Sequence, residues 1–198
     1  MITTRSTYGY IGGSDANRLF GSFETETFRA WWQERLTGIS LTSFSTIDTA
    51  VGNIMEAKVL DEVGVLPEHR NIFIKKEGSM AGINTDALCP DFYHEVKTSV
   101  PENVYNWLNG KAISAAYRRQ VMHGLYVTGR RVGKLHVLPI TREEKRNIFG
   151  LDISGRVRTF FFSVDDFDMA DYDRRVRYLD MCFARKERPS DSGFNQFT

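Results

Sequence analysis

The residues with the clearest chemical potential lie near the middle of the chain: Asp86, Glu95 and Lys97. Residues two apart in a β-strand face the same side, so a strand over residues 92–98 makes Glu95 and Lys97 project together. A hairpin that turns through Cys-Pro-Asp at residues 89–91 brings Asp86 beside them. Two carboxylates suit Mg²⁺ or Mn²⁺, and an adjacent ammonium can orient a water molecule or offset charge on a phosphate. The spacing predicts metal-assisted phosphodiester hydrolysis.

The same pattern also occurs by chance on solvated strand edges. Other features of the sequence must therefore distinguish a metal site from exposed edge residues. Glu56 lies on a predicted helix, with Gly52 one turn earlier on the same face, where a missing side chain leaves room for a nucleic-acid backbone. The alternative is an exposed glutamate beside a tolerated glycine. Gln120 lies on an otherwise apolar helix face and needs a hydrogen-bond partner. It either holds a water or a phosphate beside the metal site or is satisfied within the core.

Charge segregation is a third feature of the context. Residues 103–142 contain no Asp or Glu, although the whole chain has a net charge of only +1. Such a segment predicts a local cationic surface that binds a phosphate backbone with steep salt dependence, whereas the alternative is a merely solvated face. The candidate DNA-binding arginines of this segment are Arg118, Arg119, Arg130 and Arg131.

A glycine-rich turn near the start of the chain is a fourth candidate. The sequence Gly-Gly-Ser-Asp at residues 12–15 is typical of a helix start. Backbone N–H groups at such a start, together with the Ser14 hydroxyl, can cradle a phosphate. The spacing alone favours a simple N-cap at Ser14 or Asp15.

The surrounding elements define the fold class. Helical periodicity predicts helices over residues 24–36, 47–63, 110–125 and 165–185, after a short helix that ends at Gly21. Short apolar or alternating runs predict strands over residues 82–88, 92–98, 135–140 and 157–164. This order indicates one α/β domain over residues 1–198, with a central mixed sheet flanked by helices. Residues 189–198 are polar and are expected to fray.

The composition excludes several classes of protein. A hydrophobic fraction of 41% and a charged fraction of 26% are typical of a globular chain. The two cysteines, Cys89 and Cys182, exclude a four-cysteine zinc or iron–sulfur site within this chain and fit a reducing compartment. No apolar run reaches the length of a membrane span, and no signal-peptide pattern opens the sequence, so a soluble cytoplasmic protein is expected.

These motifs, in this order, resemble the PD-(D/E)XK nuclease superfamily. They are most similar to its lambda-exonuclease-type phage branch, the YqaJ-like viral recombinase group. The resemblance covers most of the chain and rests on five elements in the family's order. They are the opening Gly-Ser-Asp at 13–15, Trp…Leu-Thr-Gly ending at 38, Gly-x-x-x-Glu at 52–56, Asp86 with Glu-Val-Lys at 95–97, and the helix that contains Gln120.

The resemblance implies a restriction-endonuclease-like fold and specific roles for the site residues. Asp86 and Glu95 are expected to bind Mg²⁺, for which Mn²⁺ would substitute, with the Val96 carbonyl as a possible further ligand. The remaining implied roles are as follows: Glu56 completes the acidic set, Lys97 acts on the attacking water, Gln120 lies near Lys97, and Ser14, with Arg5 upstream, holds the 5′-phosphate of a DNA end.

The resemblance also implies the activity and its setting. The family digests one strand of duplex DNA from an end in the 5′→3′ direction, as a ring-shaped trimer partnered by a single-strand annealing protein. The expected setting is phage or prophage recombination in the cytoplasm of a bacterial host. Two alternatives stay open at this point: a structure- or sequence-selective endonuclease on the same fold, and a catalytically silent DNA-binding protein.

Overall fold

A computed structural model describes residues 8–39 and 47–197, without the side chains of residues 47–49. Arg5 therefore lies outside the described residues. Six α-helices occur in these ranges: α1 (Glu26–Thr37), α2 (Ile47–Glu62), α3 (Pro101–Leu108), α4 (Ala115–Thr128), α5 (Met169–Arg185) and α6 (Asp191–Gln196). The strands are β1 (Phe73–Lys75), β2 (Gly82–Asn84), β3 (Ala87–Leu88), β4 (Phe92–Ser99), β5 (Val132–Pro139) and β6 (Arg158–Ser163). Short 3₁₀ helices span Gly13–Phe20, Pro67–His69, Glu144–Gly150 and Val164–Asp166.

The central sheet has four strands in the order β3-β4-β5-β6. Strands β4 and β5 are parallel, with Glu95 opposite Leu135, whereas both outer pairs are antiparallel. A separate two-stranded ribbon joins β1 and β2. The prediction of a mixed α/β fold with a mixed sheet flanked by helices is confirmed. No helix among the described residues is both long and apolar enough to cross a membrane.

The two faces of the sheet carry separate apolar clusters. On one face α4 packs against β4 and β5, and the cluster extends to the aromatic side chains of α1 and α5. On the other face α2 places Val51, Met55 and Val59 against Val96 and Leu138. The central strands are therefore buried from both sides, which fixes the direction in which each of their side chains points.

Local sequence signals set the ends of the helices beside the site. Thr25 and Ser114 cap α1 and α4, because their hydroxyls accept hydrogen bonds from the backbone N–H groups of Phe28 and Tyr117 at 3.2 and 3.3 Å. Both helices end at glycines in the left-handed conformation, Gly38 with φ 72° and Gly129 with φ 69°. The helix predicted from residue 110 starts too early, since Gly110 has a φ of 88° and α4 begins at Ala115, after its cap at Ser114. The short α3, which begins at a proline, was not predicted.

The predicted strand over residues 82–88 is divided at Thr85 and Asp86. Strand β2 pairs with β1, whereas β3 pairs with β4, so the chain changes sheets between them. Thr85 anchors the crossing, since its backbone N–H and its hydroxyl both donate to the Ile72 carbonyl, at 2.9 and 3.0 Å. Asp86 therefore stands outside both ladders, at the edge of the central sheet.

Two further expectations differ from the structure. The prediction that residues 189–198 fray is wrong up to residue 197, because α6 packs Phe194, only 6% exposed, against Phe23 and Tyr178. Asp191 fastens this helix by accepting the backbone N–H of Phe23 at 2.8 Å. The strand predicted over residues 157–164 spans only 158–163, and its position at the edge of the sheet leaves Phe161 64% exposed.

Candidate active site

Strand β4 aligns three functional side chains on one face. Tyr93, Glu95 and Lys97 are spaced two apart, and their side chains meet. Lys97 Nζ donates to Glu95 Oε1 at 2.6 Å, and the Tyr93 hydroxyl donates to Glu95 Oε2. Glu95 is only 7% exposed, so this carboxylate is held within the protein by two donors.

Asp86 reaches the same strand from its edge. The β3–β4 ladder is short, with Ala87 opposite His94, and the Val96 N–H lies beyond it. This N–H donates to Asp86 Oδ2 at 2.6 Å, so the aspartate side chain replaces a strand partner. The structure thus brings Asp86, Glu95 and Lys97 together at the β3 edge of the sheet, as the sequence spacing indicates.

Helix α2 supplies the opposite wall of a cleft of about 480 Å³ over this edge. Glu56 is half-buried there and lies close enough to Glu95 and Lys97 for their charges to act on its carboxyl. Gly52 lies one turn earlier, and a Cβ added to it would have no described atom within 4 Å. The cleft is lined by Gly52, Asn53, Glu56, Asp86, Val96, Lys97, Thr98, Tyr117 and Lys145.

The charges of this cleft are unbalanced. Burial, followed by the charges of Glu95 and Glu56, raises the pKa of Asp86 well above its usual range, although Lys97 acts in the opposite direction. Burial and the charge of Glu95 likewise raise the pKa of Glu56. Burial alone would lower the pKa of Lys97, but the carboxylates of Glu95 and Asp86 outweigh it and leave that pKa raised. The carboxyl groups of Glu56, Asp86 and Glu95 therefore all interact with the ammonium group of Lys97.

This donor set fits a hard divalent cation. Carboxylate oxygens are the ligands that Mg²⁺ prefers, and a bound dication would relieve the repulsion among the three acids. Within the described ranges, no group of three or more His, Cys, Asp or Glu side chains forms a ready-made metal cage. A cation held by Asp86 and Glu95 would therefore take its other ligands from backbone carbonyl, water or substrate, which is the usual manner of Mg²⁺.

A second cavity of about 230 Å³ meets the first at the catalytic candidates. Asp86 and Lys97 line both cavities. The amide oxygen of Gln120 is buried in the second cavity without a hydrogen-bond partner in the described structure. The cavity is lined by Tyr10, Gly12, Gly13, Ser14, Ile83, Asn84, Asp86, Glu95, Lys97 and Gln120.

The opening motif is organised by Asp15 rather than by Ser14. Gly12 is the N-cap of the Gly13–Phe20 helix, and its N–H donates to Asp15 Oδ2 at 3.0 Å. Asp15 also accepts Trp31 Nε1 at 2.8 Å and ion-pairs with Arg35 Nη2 at 3.1 Å. Ser14 is exposed, and its hydroxyl has no partner among the described residues. The serine is therefore available to a ligand in the second cavity.

Residues 4–131 match the model of the YqaJ-like viral recombinase domain. The chain belongs to this family. The resemblance stated from the motifs is thereby confirmed, and the matched range contains Ser14, Glu56, Asp86, Glu95, Lys97 and Gln120.

Solved structures with the same fold agree with this assignment. The alkaline exonuclease LHK-Exo from Laribacter hongkongensis has a TM-score of 0.66 at 14% identity, covering 91% of this chain and 90% of its own. Its complex with dAMP has a TM-score of 0.67 at 14% identity, with the same coverages. A phage related exonuclease from Haemophilus somnus 129PT has a TM-score of 0.64 at 15% identity, covering 90% of this chain and 96% of its own. A comparison with curated proteins finds no match.

The two arginines of α4 do not line either cavity of the family site. Arg119 Nη1 donates to Asn17 Oδ1 at 2.6 Å, and its guanidinium lies 4.3 Å from the centre of the Phe20 ring. Arg118 stacks on Phe162 and on Phe167 at 5.3 and 5.4 Å. These contacts fasten the Gly13–Phe20 helix and β6 to α4, so both side chains have packing roles.

Arg130 and Arg131 lie beyond the other end of α4, away from the cavities. Arg130 Nε donates to the Cys89 carbonyl at 3.0 Å, in the β3–β4 turn. Arg131 is 78% exposed and pairs loosely with Asp165 at 3.8 Å. The four arginines are therefore divided over the two ends of α4, and their DNA-binding role stays a prediction.

Sequence reasoning missed three residues that the structure places at the site. Tyr93 is two residues before Glu95, a spacing that could have indicated it. Tyr117 lies three residues before Gln120 on α4, and its hydroxyl donates to the Thr98 carbonyl at 3.1 Å. Lys145 lines the larger cleft from the Glu144–Gly150 helix, and no sequence pattern points to it.

Proposed function

We propose that this protein is a metal-dependent deoxyribonuclease that digests linear duplex DNA from a 5′ end. One observation carries the proposal. Asp86, Glu95 and Lys97 meet at the open edge of β4, where the cavity containing Ser14 and Gln120 joins the cleft under α2. The proposal covers the nuclease activity, the metal, the polarity and the roles of these residues.

Asp86 and Glu95 would hold the Mg²⁺ ion, with the Val96 carbonyl as a further ligand and Glu56 completing the acidic set. Mn²⁺ would substitute, because it accepts the same oxygen ligands. When bound, the ion would activate a water molecule and neutralise charge on the scissile phosphate. The unbalanced carboxylates of the cleft support this assignment.

Lys97 would bind and orient the reacting groups. Its raised pKa keeps the ammonium protonated, so Nζ donates hydrogen bonds and does not remove a proton. Besides its bond to Glu95 Oε1, Nζ can donate to the attacking water or to a phosphate oxygen, where it would offset the charge that develops in the transition state. The free amide oxygen of Gln120 can accept a hydrogen bond from the same water.

Recognition of the DNA end would occur in the smaller cavity. Ser14 projects there from the start of a helix whose first turn is fixed by Asp15. A 5′-phosphate bound by Ser14 would place the adjoining phosphodiester toward Asp86 and Lys97, because these residues line the same cavity. Arg5, the candidate second phosphate ligand, lies outside the described residues and stays a proposal from sequence.

The names of the structural neighbours support the substrate class. Two of these proteins are named as exonucleases, and one of the two was solved with dAMP, a deoxynucleoside monophosphate. We extend the proposal to phage-type recombination in a bacterial cytoplasm, with a single-strand annealing protein as partner and a homotrimer as the working assembly. The described structure contains one chain, and these assignments depend on family membership.

The test uses one duplex in three forms: linear with 5′-phosphate, linear with 5′-hydroxyl, and covalently closed circle. Each form is incubated with Mg²⁺, Mn²⁺ or EDTA, and Glu95→Gln serves as the catalytic control. Metal-dependent loss of the phosphorylated linear form alone is the expected result. Ser14→Ala should remove the preference for the 5′-phosphate while leaving the metal requirement.

Each other outcome selects a different function. Cutting of the closed circle would identify an endonuclease on the same fold. Salt-sensitive DNA binding without cleavage in either metal would identify a catalytically silent DNA-binding protein. Loss of the linear forms with equal rates for 5′-phosphate and 5′-hydroxyl ends would overturn the role of Ser14.

A further inference from the structure

Tyr93 occupies a pocket that α4 builds for its ring. The side chain is fully buried on β4, and its ring lies against Gly124 of α4. A Cβ added at Gly124 would overlap the Tyr93 ring. A glycine inside a helix costs about 1 kcal/mol relative to alanine. Gly124 therefore makes α4 less stable, but it allows the Tyr93 ring to approach the helix closely.

The Tyr93 hydroxyl is hydrogen-bonded to the carboxylate of Glu95. It donates to Oε2, whereas Lys97 Nζ donates to Oε1 at 2.6 Å, so each oxygen of the carboxylate has its own donor. A carboxylate has no proton to give, so the Tyr93 hydroxyl is the donor of this contact.

Helix α4 links this contact to the second cavity. Gly124 lies one turn after Gln120, so the two residues share a face of α4. The same helix face thus presents the Gln120 amide to the cavity and seats the Tyr93 ring beneath Glu95. The position of α4 on the sheet sets both groups together.

We infer that Tyr93 is a positioning residue, which orients the Glu95 carboxylate for metal binding from its seat against Gly124. This inference rests on the proposed nuclease function. Packing alone does not require the hydroxyl, since a phenylalanine would fill nearly the same volume. The inference gives the hydroxyl a role. Groups that orient a metal ligand typically change metal affinity or activity by about 10- to 100-fold when removed.

The experiment compares Tyr93→Phe with a matched control, Tyr172→Phe. Tyr172 is equally buried, and its hydroxyl bonds His123 Nδ1 at 2.6 Å, away from both site cavities. For each variant, Mn²⁺ binding to the DNA-free protein is measured by calorimetry, and kcat and KM are measured on linear duplex. Thermal melting in EDTA reports the loss of stability that any buried hydroxyl causes.

Tyr93→Phe should weaken Mn²⁺ binding and lower kcat by about tenfold or more, with KM for DNA little changed. Tyr172→Phe should lower the melting temperature similarly but leave Mn²⁺ affinity and kcat near those of the wild type. In a Glu95→Gln background, Tyr93→Phe should cause no further loss of Mn²⁺ affinity, because the hydroxyl acts through the carboxylate. If Tyr93→Phe proves less stable than the wild type, this double-mutant cycle still shows whether the hydroxyl acts through Glu95.

Wild-type affinity and kcat in Tyr93→Phe would overturn the inference and leave the nuclease function standing. Equal losses in Tyr93→Phe and Tyr172→Phe would also overturn it, since they would report packing. An inactive wild type in both metals is a separate result, because it would overturn the proposed function itself and with it the role of Tyr93.

Discussion

The buried Asp15 and the half-buried Asp86 have opposite surroundings. Asp15 is 7% exposed and accepts hydrogen bonds from Gly12, Trp31 and Arg35, which supply N–H donors and a full positive charge. Asp86 accepts the Val96 N–H, and it shares the single ammonium of Lys97 with two other carboxylates. The first acid is balanced within the protein, whereas the second is not.

The difference distinguishes a structural carboxylate from the proposed metal ligand. A buried charge is tolerated when a counter-charge and donors satisfy it, and Asp15 then fixes the helix start that presents Ser14. An unsatisfied group of charges costs stability, and it persists where it serves binding or catalysis. Under the proposed function, the carboxylates of Asp86, Glu95 and Glu56 would be neutralised by a bound cation.

Removing the ammonium group that contacts Glu95 should have the largest effect. Lys97→Ala should lower kcat by about 10²-fold or more, because the charge at the phosphate loses its fixed partner, while DNA affinity changes little. Single-turnover digestion of 5′-phosphorylated duplex and filter binding in Ca²⁺ measure the two quantities. Lys58→Ala is the matched control, since its amino group donates to the Phe149 carbonyl away from both site cavities. Near-normal turnover in Lys97→Ala would show that the site is misassigned.

Removing the charge of Asp15 should lower the stability of the fold. Asp15→Asn leaves Arg35, 6% exposed, with the more distant Glu34 carboxylate at 3.8 Å in place of its 3.1 Å partner, and should reduce the free energy of unfolding by about 3 kcal/mol. Urea denaturation followed by tryptophan fluorescence measures it, because Trp31 contacts Asp15. Glu24→Gln, at an exposed ion pair with Arg29, is the control and should leave the unfolding midpoint nearly unchanged. Equal midpoints for both variants would remove the contrast between the two aspartates.

The parts that the sequence could predict depend on short separations. Glu95 and Lys97 are two residues apart in a strand, and Asp86 is one tight turn away, so local geometry brings them together. The helix ends at Gly38 and Gly129 follow from glycine at left-handed positions. Glu56 also contributes to the charge of the cleft. The spacing predicts the helix that carries Glu56, but it does not predict that this helix packs against β4.

The parts that the sequence did not show depend on distant partners. Nothing near Arg118 and Arg119 in the sequence indicates that aromatic rings from two other segments contact their guanidinium groups, and their DNA-binding role stays a prediction. The break at Thr85 depends on a hydrogen bond to Ile72, and α6 on the burial of Phe194 against Phe23. Such contacts exist only after the chain has folded, so local patterns do not contain them.

The smallest effect we predict tests the charge imbalance in the metal-free protein. Because the pKa of Asp86 is raised, the folded state binds its proton more tightly than the unfolded chain does. The stability that the neutral carboxyl contributes is fully present below the unfolded pKa and is lost as the pH rises through the folded pKa. Asp86→Asn keeps an acceptor for the Val96 N–H and imitates the neutral form at every pH.

Asp86→Asn should therefore stabilise the EDTA-treated protein at pH 8 by about 1 kcal/mol, or about 3 °C in melting temperature, with the difference vanishing in acid. It should also abolish the stabilisation that Mn²⁺ gives to the wild type. Asp61→Asn is the control, because that carboxylate is exposed and paired with Arg70 at 2.7 Å. If Asp86→Asn melts below the wild type at pH 8 without metal, the carboxylate is as well balanced as Asp15. The cleft would then hold no unmet charge with which to attract a cation.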